Sequence, residues 1–335
     1  MRSLFLFILL TISISTFSQK IIGNGAVTPR MRVIIDNDFG GDPDGLFQLA
    51  HHLLSPSVEI RAIIGSHLRA GDFFDQSTTQ AQNAARKAQD LVNVMGLKTT
   101  VPILAGSNVA MPNDSTPVKS DAVNFIIKEA MRTDTKLPLY VVCGAGLTEI
   151  ASALLTSPEI AGKLTLIWIG GSEYTDLAYP PPNYSTPEYN LNIDIAAARV
   201  VFNRSNVPIW QVPRDAYRQA IIPYSQLLLK VKPQGKTGAY LTTVLEDLMK
   251  AVQKYINLGE TYILGDSPLV LLTALQTSFE PDPASSFYSM RMSPLITPQG
   301  TYAVNQSGRM IRVYTDLDVE LMFSDFFAKL ELMYK

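Results

Sequence analysis

Six short apolar runs, each closed by glycine or polar residues and separated by segments of helical period, leave this chain few ways to fold. They span residues 32–36, 60–64, 101–105, 137–143, 164–169 and 207–212. Between them, apolar positions three and four apart predict helices over 46–54, 78–95, 122–132, 147–155 and 196–202. Strands this short and this apolar are buried on both faces, which calls for helices on each side of a mostly parallel sheet. The fold class is therefore α/β, a doubly wound, Rossmann-like central sheet in a single large domain. Beyond the sixth run the chain turns more helical. Helices are expected over 238–257 and from 268 to 275, then a hairpin around 302–314 and a last helix over 319–332.

In such sheets ligands sit at the carboxyl ends of the strands. Four of those ends carry polar or glycine-rich turns, at 36–44, 65–67, 144–146 and 170–172. The first is the most unusual, because Asp36, Asp38, Asp42 and Asp44 crowd together directly after a buried strand. Carboxylates that close raise one another's pKa unless something cationic sits among them, and a hard cation with oxygen ligands answers that repulsion. Three chemistries use a loop of this kind. One is a calcium or magnesium site that also holds substrate hydroxyls and activates a water. Another is the aspartyl nucleophile of haloacid-dehalogenase-like phosphatases, whose motif wants Thr or Val where Gly40 stands. The third is a solvated acidic loop, which fits poorly at the end of a buried strand.

Composition narrows the partners. With 335 residues and 47% apolar content the chain can bury a large core. A net charge of −2, with Lys and Arg scattered, offers no basic face to a nucleic-acid polymer. Arg2, the apolar run 4–14 and the small and polar residues through Gln19 have the three parts of a secretory signal. Residues 1–19 are thus expected to be removed, leaving 20–335 as the mature domain in the periplasm or outside the cell. That run is short for a membrane span, and no stable span is expected elsewhere. Cys143 is the only cysteine, which excludes an intrachain disulfide, and its apolar strand marks it as an inert buried thiol.

Other polar residues are read by position. His51 and His52 fall on the polar side of the first helix and read as solvated or capping groups, while His67 ends the second strand. Tyr174, Tyr179 and Tyr184 flank three consecutive prolines in a long aperiodic loop and read as a mobile lid. Trp210, inside an apolar run, reads as packing, and Arg214 with Asp215 as an ion pair on the rim.

Several motifs now converge on one family. Val33-Ile-Ile-Asp36-Asn-Asp38-Phe-Gly40 resembles the Asp-x-Asp-x-Gly opening of the inosine-uridine preferring nucleoside hydrolases. Residues 142–151 resemble that family's Thr-Gly-Pro-Leu-Thr-Asn-Ile-Ala stretch, 167–171 its Met-Gly-Gly strand end, and 187–194 its Glu-Phe-Asn-x-x-x-Asp motif. Gly265-Asp266-Ser-Pro268 is similar to its late His-Asp-x-x. The resemblance implies a Ca2+ ion under a ribose, held by Asp38, Asp266, the Gly144 carbonyl and the first-loop acids Asp42 and Asp44. It also implies Asp38 as general base, Asp42 or Asp44 on a sugar hydroxyl, Glu188 and Asn190 on the 5′ side of the ribose, and His67 near the sugar. The implied reaction is hydrolysis of a nucleoside N-glycosidic bond, with a small-molecule nucleoside as partner and a homo-oligomeric state. The chain also departs from the pattern. Asp42-Pro43-Asp44-Gly45 replaces an adjacent pair of aspartates, leaving open which of the two acids holds calcium, and Gly265 replaces a histidine that protonates purine bases. These departures define the alternative, a non-catalytic nucleoside-binding protein on the same fold.

Overall fold

In a computed structural model, which describes residues 25–183, 187–277 and 286–335, every residue of the first strand, Met31–Asn37 (β1), is buried. Val33 and Ile35 pack into one core and Ile34 into another, so β1 is covered on both faces, as its unbroken apolar run requires. The chain then alternates through Asp44–Leu53 (α1), Val58–Gly65 (β2), Gln80–Val94 (α2), Ile103–Ala105 (β3), Asp121–Ala130 (α3) and Leu139–Cys143 (β4). It continues through Thr148–Thr156 (α4), Leu164–Ile169 (β5), Tyr189–Ile193 (α5), Ile195–Arg199 (α6) and Ile209–Val212 (β6). The sheet order is β3-β2-β1-β4-β5-β6, every pair parallel.

The later segment differs from its expected form. After Arg214–Tyr217 (α7), Ile221–Pro223 (β7), Gly235–Val252 (α8), Thr261–Ile263 (β8) and Pro268–Val270 (α9) come four strands: Phe287–Met292 (β9), Leu295–Ile296 (β10), Tyr302–Ala303 (β11) and Met310–Asp316 (β12). Residues 302–314 do not form a hairpin. Their first arm pairs with β10, while β12 lies parallel to β6 and antiparallel to β9, extending the main sheet to eight strands among the described residues. Burial against the sheet fixes β12 in place, with Ile311, Val313 and Tyr314 all covered. The last helix, Val319–Met333 (α10), packs onto the same core as α1. Among the described residues no helix is long and apolar enough to cross a membrane. Residues 1–19 and Tyr184 lie outside the described residues.

Helix α1 is buried on every side, which corrects the solvated reading of its histidines. Pro43, at φ −66°, sets the first turn, and Asp44 follows where the helix dipole favours a carboxylate. His51 Nε2 lies 2.7 Å from Asp325 on α10, and Lys329 reaches the same carboxylate at 2.6 Å. His52 is fully enclosed and bonded to Thr273. Burial pushes His51 down to about 4, against the partial support of Asp325, so the folded chain holds this imidazole neutral. As pH falls from the unfolded value near 6.5, the unfolded chain takes up a proton that the folded one refuses, and stability is lost. Between pH 7 and pH 4 the wild type is expected to lose about 3 kcal/mol more than His51→Gln in denaturant titrations. Equal losses would mean that His51 charges inside the fold.

Candidate active site

The chain runs outward from β1 to β3, then returns to place β4 on the other flank of β1. The parting of the crossovers opens a crevice at the carboxyl ends of β1 and β4, the place where open α/β sheets bind ligands. Gly144 N donates to Asp36 O at 3.0 Å, so the turn after β4 is laced directly to the acidic loop after β1. From the far end of the chain, Asp266 joins them: its main-chain N–H donates to Asp44 Oδ2 at 3.2 Å, and its carboxylate accepts Asn37 Nδ2 at 2.9 Å. Glu188 caps α5 beside them, accepting from Leu191 N at 3.0 Å and Gly171 N at 2.8 Å. Asn190 Nδ2 donates to the carbonyls of Ile169 at 2.9 Å and Gly144 at 3.2 Å. Asp38, Asp42, Asp44, Gly144, Glu188, Asn190 and Asp266 are thereby gathered at one edge of the sheet.

The four aspartates do not play interchangeable parts. Asp36 is the outsider: it is fully buried, takes the hydroxyl of Ser66, and faces Glu149 and Cys143 beneath the loop. Burial first, and Glu149 second, push its pKa well above the carboxylate range, a property of the core and not of the crevice. Asp38 is pushed well above that range too, by burial and then by Asp266, Asp42 and Asp72. Asp44 is raised in the same way, by burial and then by Asp266, Asp42 and Asp38. Asp42 stands apart because the Tyr262 hydroxyl sits 2.8 Å from both its oxygens. Burial raises Asp42 to about 6, with the phenol pulling the other way, and raises Asp266 to about 7, with Asn37 as the main counterweight.

Among the described residues no three His, Cys, Asp or Glu side chains stand as a preformed metal cage. The donor chemistry nevertheless fits a hard cation. The charges that weigh on Asp38 and Asp44 are all carboxylates, an arrangement that a bound cation would relieve. Asn37 Oδ1 is buried beside them with no hydrogen-bond partner among the described residues. The Gly144 carbonyl, with one lone pair engaged by Asn190, keeps a second one. A Cβ at 144 would lie 2.8 Å from Asp266 Cγ and against the Asn37 amide, so glycine lets both side chains close on this turn.

His67 is turned to other work, with Nδ1 2.8 Å from Leu68 O and Nε2 3.0 Å from Thr148 Oγ1. Tyr174 is no free lid: it is buried and donates to Gln211 Oε1 at 2.7 Å, whereas Tyr179 is exposed. Trp210 packs against Tyr140 and under Arg312, in keeping with a packing role. Arg214 is not on the rim. It is fully buried and pairs with both oxygens of Glu173 instead of with Asp215.

Four residues join the site without having been singled out in the sequence: Asn37, Asp72, Tyr217 and Tyr262. Tyr217 donates to Glu188 Oε1 at 2.9 Å, and its ring lies over Gly265, where a Cβ would be 3.2 Å from Tyr217 Cδ2. A side chain at 265 and the ring at 217 compete for one space. Only Asn37 carried a local signal, its place between two aspartates of the motif; the tyrosines arrive from separate elements.

The profile of the family described as inosine-uridine preferring nucleoside hydrolase matches residues 33–323. A protein of that description from Crithidia fasciculata is 29% identical over 207 residues, a match covering 54% of this chain and 58% of that relative. The match thus spans less than two thirds of the relative's length. Among solved structures, a purine-preferring ribonucleoside hydrolase from Gardnerella vaginalis superposes with a TM-score of 0.71 at 21% identity, covering 91% of this chain and 99% of that one. A plant nucleoside hydrolase gives 0.66 at 16% identity, over 90% and 99% of the two chains. The structural likenesses speak for the fold, and the profile, spanning most of the chain, decides the lineage. The chain belongs to the inosine-uridine preferring nucleoside hydrolase family.

Proposed function

We propose that this protein is a calcium-dependent N-glycosidase that hydrolyses a ribonucleoside, or a related riboside, to free base and ribose. The observation that carries the reading is the gathering of Asp38, Asp44 and Asp266 beside the Gly144 carbonyl at the switch point of the sheet, with carboxylates as the charges acting on Asp38 and Asp44. Asp38, Asp44, Asp266 and the Gly144 carbonyl would hold the ion, with Asp42 directed to a sugar hydroxyl. Bound there, calcium supplies the positive charge the acids lack and makes a water more acidic. Asp38 would take a proton from the attacking water. The water oxygen bonds to the anomeric carbon as the C–N bond breaks and its electron pair leaves with the base, through an oxocarbenium-like sugar. The departing base takes a proton from solvent and Asp38 returns its own to solvent, so one water is consumed overall. Glu188 and Asn190, both fixed by main-chain hydrogen bonds, orient the 5′ side of the ribose.

The family, together with the arginine and apolar run at the N-terminus, supports a homo-oligomer exported to the periplasm or medium. The test is direct. A panel of purine and pyrimidine nucleosides is incubated with the protein, and free base and reducing sugar are measured. Release is expected from at least one nucleoside, lost with a chelator and restored by calcium. Binding of nucleosides without any release would instead establish the non-catalytic alternative.

A further inference from the structure

From Asp266 a chain of side-chain hydrogen bonds runs away from the crevice into the core. Asn37 Nδ2 donates to Asp266 Oδ2 at 2.9 Å and to Gln48 Oε1 at 3.2 Å. Gln48 Nε2 meets His52 Nδ1, His52 Nε2 lies 2.9 Å from Thr273 Oγ1, and the Thr273 hydroxyl donates to the Leu269 carbonyl at 2.6 Å. Asn37, Gln48, His52 and Thr273 are each 0% exposed, so these bonds do not exchange with bulk water.

Both ends of the chain are acceptors, a carboxylate and a main-chain carbonyl, and that fixes every orientation between them. Thr273 spends its one proton on the carbonyl and must accept from His52, whose proton is therefore on Nε2. The bare His52 Nδ1 then accepts from the Gln48 amide nitrogen, which turns Gln48 Oε1 toward Asn37. Asn37 can satisfy that oxygen and Asp266 together only with its nitrogen, which carries two protons. Reversing any one group would set donor against donor or oxygen against oxygen in a dry interior.

We propose that Thr273, His52 and Gln48 are positioning residues for Asp266: their relay locks the Asn37 amide with its nitrogen on the Asp266 carboxylate. The relay thereby presents that acid in one orientation to the cation that the proposed function places there, and the inference rests on that reading. Partners of metal ligands commonly have this effect, and their loss costs about 10- to 100-fold in metal affinity.

Thr273 offers the decisive pair of variants because it is remote from the acids. Thr273→Val keeps the shape and loses the hydroxyl, whereas Thr273→Ser keeps the hydroxyl and loses a methyl. Two readouts are taken: calcium affinity by calorimetry, and the tautomer of His52 from its ring ¹⁵N signals in a chain with three histidines. In the wild type and Thr273→Ser the His52 proton is expected on Nε2, with calcium affinities within about 3-fold of each other. In Thr273→Val the proton is expected on Nδ1 and calcium affinity about 10-fold weaker. If Thr273 serves packing alone, the order reverses, with valine the milder change, and the relay is overturned. A wild type that takes up no calcium would remove the proposed function. The ring nitrogens still judge the relay in that event, since Nδ1–H in the wild type overturns it.

Discussion

Asp38→Asn is expected to lower kcat for nucleoside hydrolysis by about 10³-fold at saturating calcium, with KM changed only a few-fold. The amide fills the same volume but has no basic oxygen of comparable strength, so the proton of the attacking water loses its destination. The same substitution is expected to raise thermal stability in the absence of calcium. Asp38 is pushed well above the carboxylate range by burial, Asp266, Asp42 and Asp72, which means the fold holds this charge at a cost. Removing it relieves that cost, and a site built for chemistry and not for stability shows this opposition. The checks are steady-state release of base and a thermal melt of the calcium-free protein. A variant that keeps its rate within about 10-fold would remove Asp38 as the base. One that loses rate together with stability would show that the carboxylate serves mainly to hold the loop.

Much of this site was legible in the sequence because its anchors are contiguous. A run such as 32–36 must be a strand covered on both faces, and the residues after such a strand must lie at the sheet edge, so Asp38 could be placed before any coordinates. What periodicity cannot supply is the cover that arrives from distant segments. His51, His52 and Gln48 lie on the polar side of α1 by helical spacing, yet Asp325 and Thr273, 274 and 221 residues away, enclose His51 and His52. The side of a helix opposite its apolar stripe is solvated only if nothing else is folded over it. The hairpin expected over 302–314 failed for a similar reason, since local sequence can suggest a strand but not which neighbour it pairs with. Tyr262 and Tyr217 were invisible as site residues because a tyrosine in or beside a short apolar run reads as packing until its hydroxyl is seen to reach an acid.

Tyr262 also bears on the division left open between Asp42 and Asp44. Its phenol lies 2.8 Å from both oxygens of Asp42, so one of them always holds a donor and the carboxylate meets a ligand partly satisfied. Asp44 is held differently. One oxygen takes Gly45 N at 2.8 Å and the other takes Asp266 N at 3.2 Å, which aims the carboxylate at the Asp266 turn without neutralising it. The dipole at the start of α1 further favours its charged form. A cation gains most where it relieves carboxylates that press on one another, and Asp44 carries the charges of Asp266, Asp42 and Asp38. Asp44→Asn is therefore expected to weaken calcium binding by about 100-fold or more, and Asp42→Asn by about 10-fold or less, each measured by calorimetry. Stability carries the same signature. At calcium about 1,000 times its Kd the wild type gains roughly 4 kcal/mol over the chelated protein, whereas Asp44→Asn, bound about 100-fold more weakly, would keep only about 1.4 kcal/mol of it at that concentration. Since Asp44→Asn also relieves the repulsion from Asp266, Asp42 and Asp38, its calcium-free form is expected to melt above the calcium-free wild type. Equal losses of affinity from the two variants would show that Asp42 leaves Tyr262 to join the ion. A larger loss from Asp42→Asn would reverse the assignment and make Tyr262 a gate that closes the site when no ion is bound.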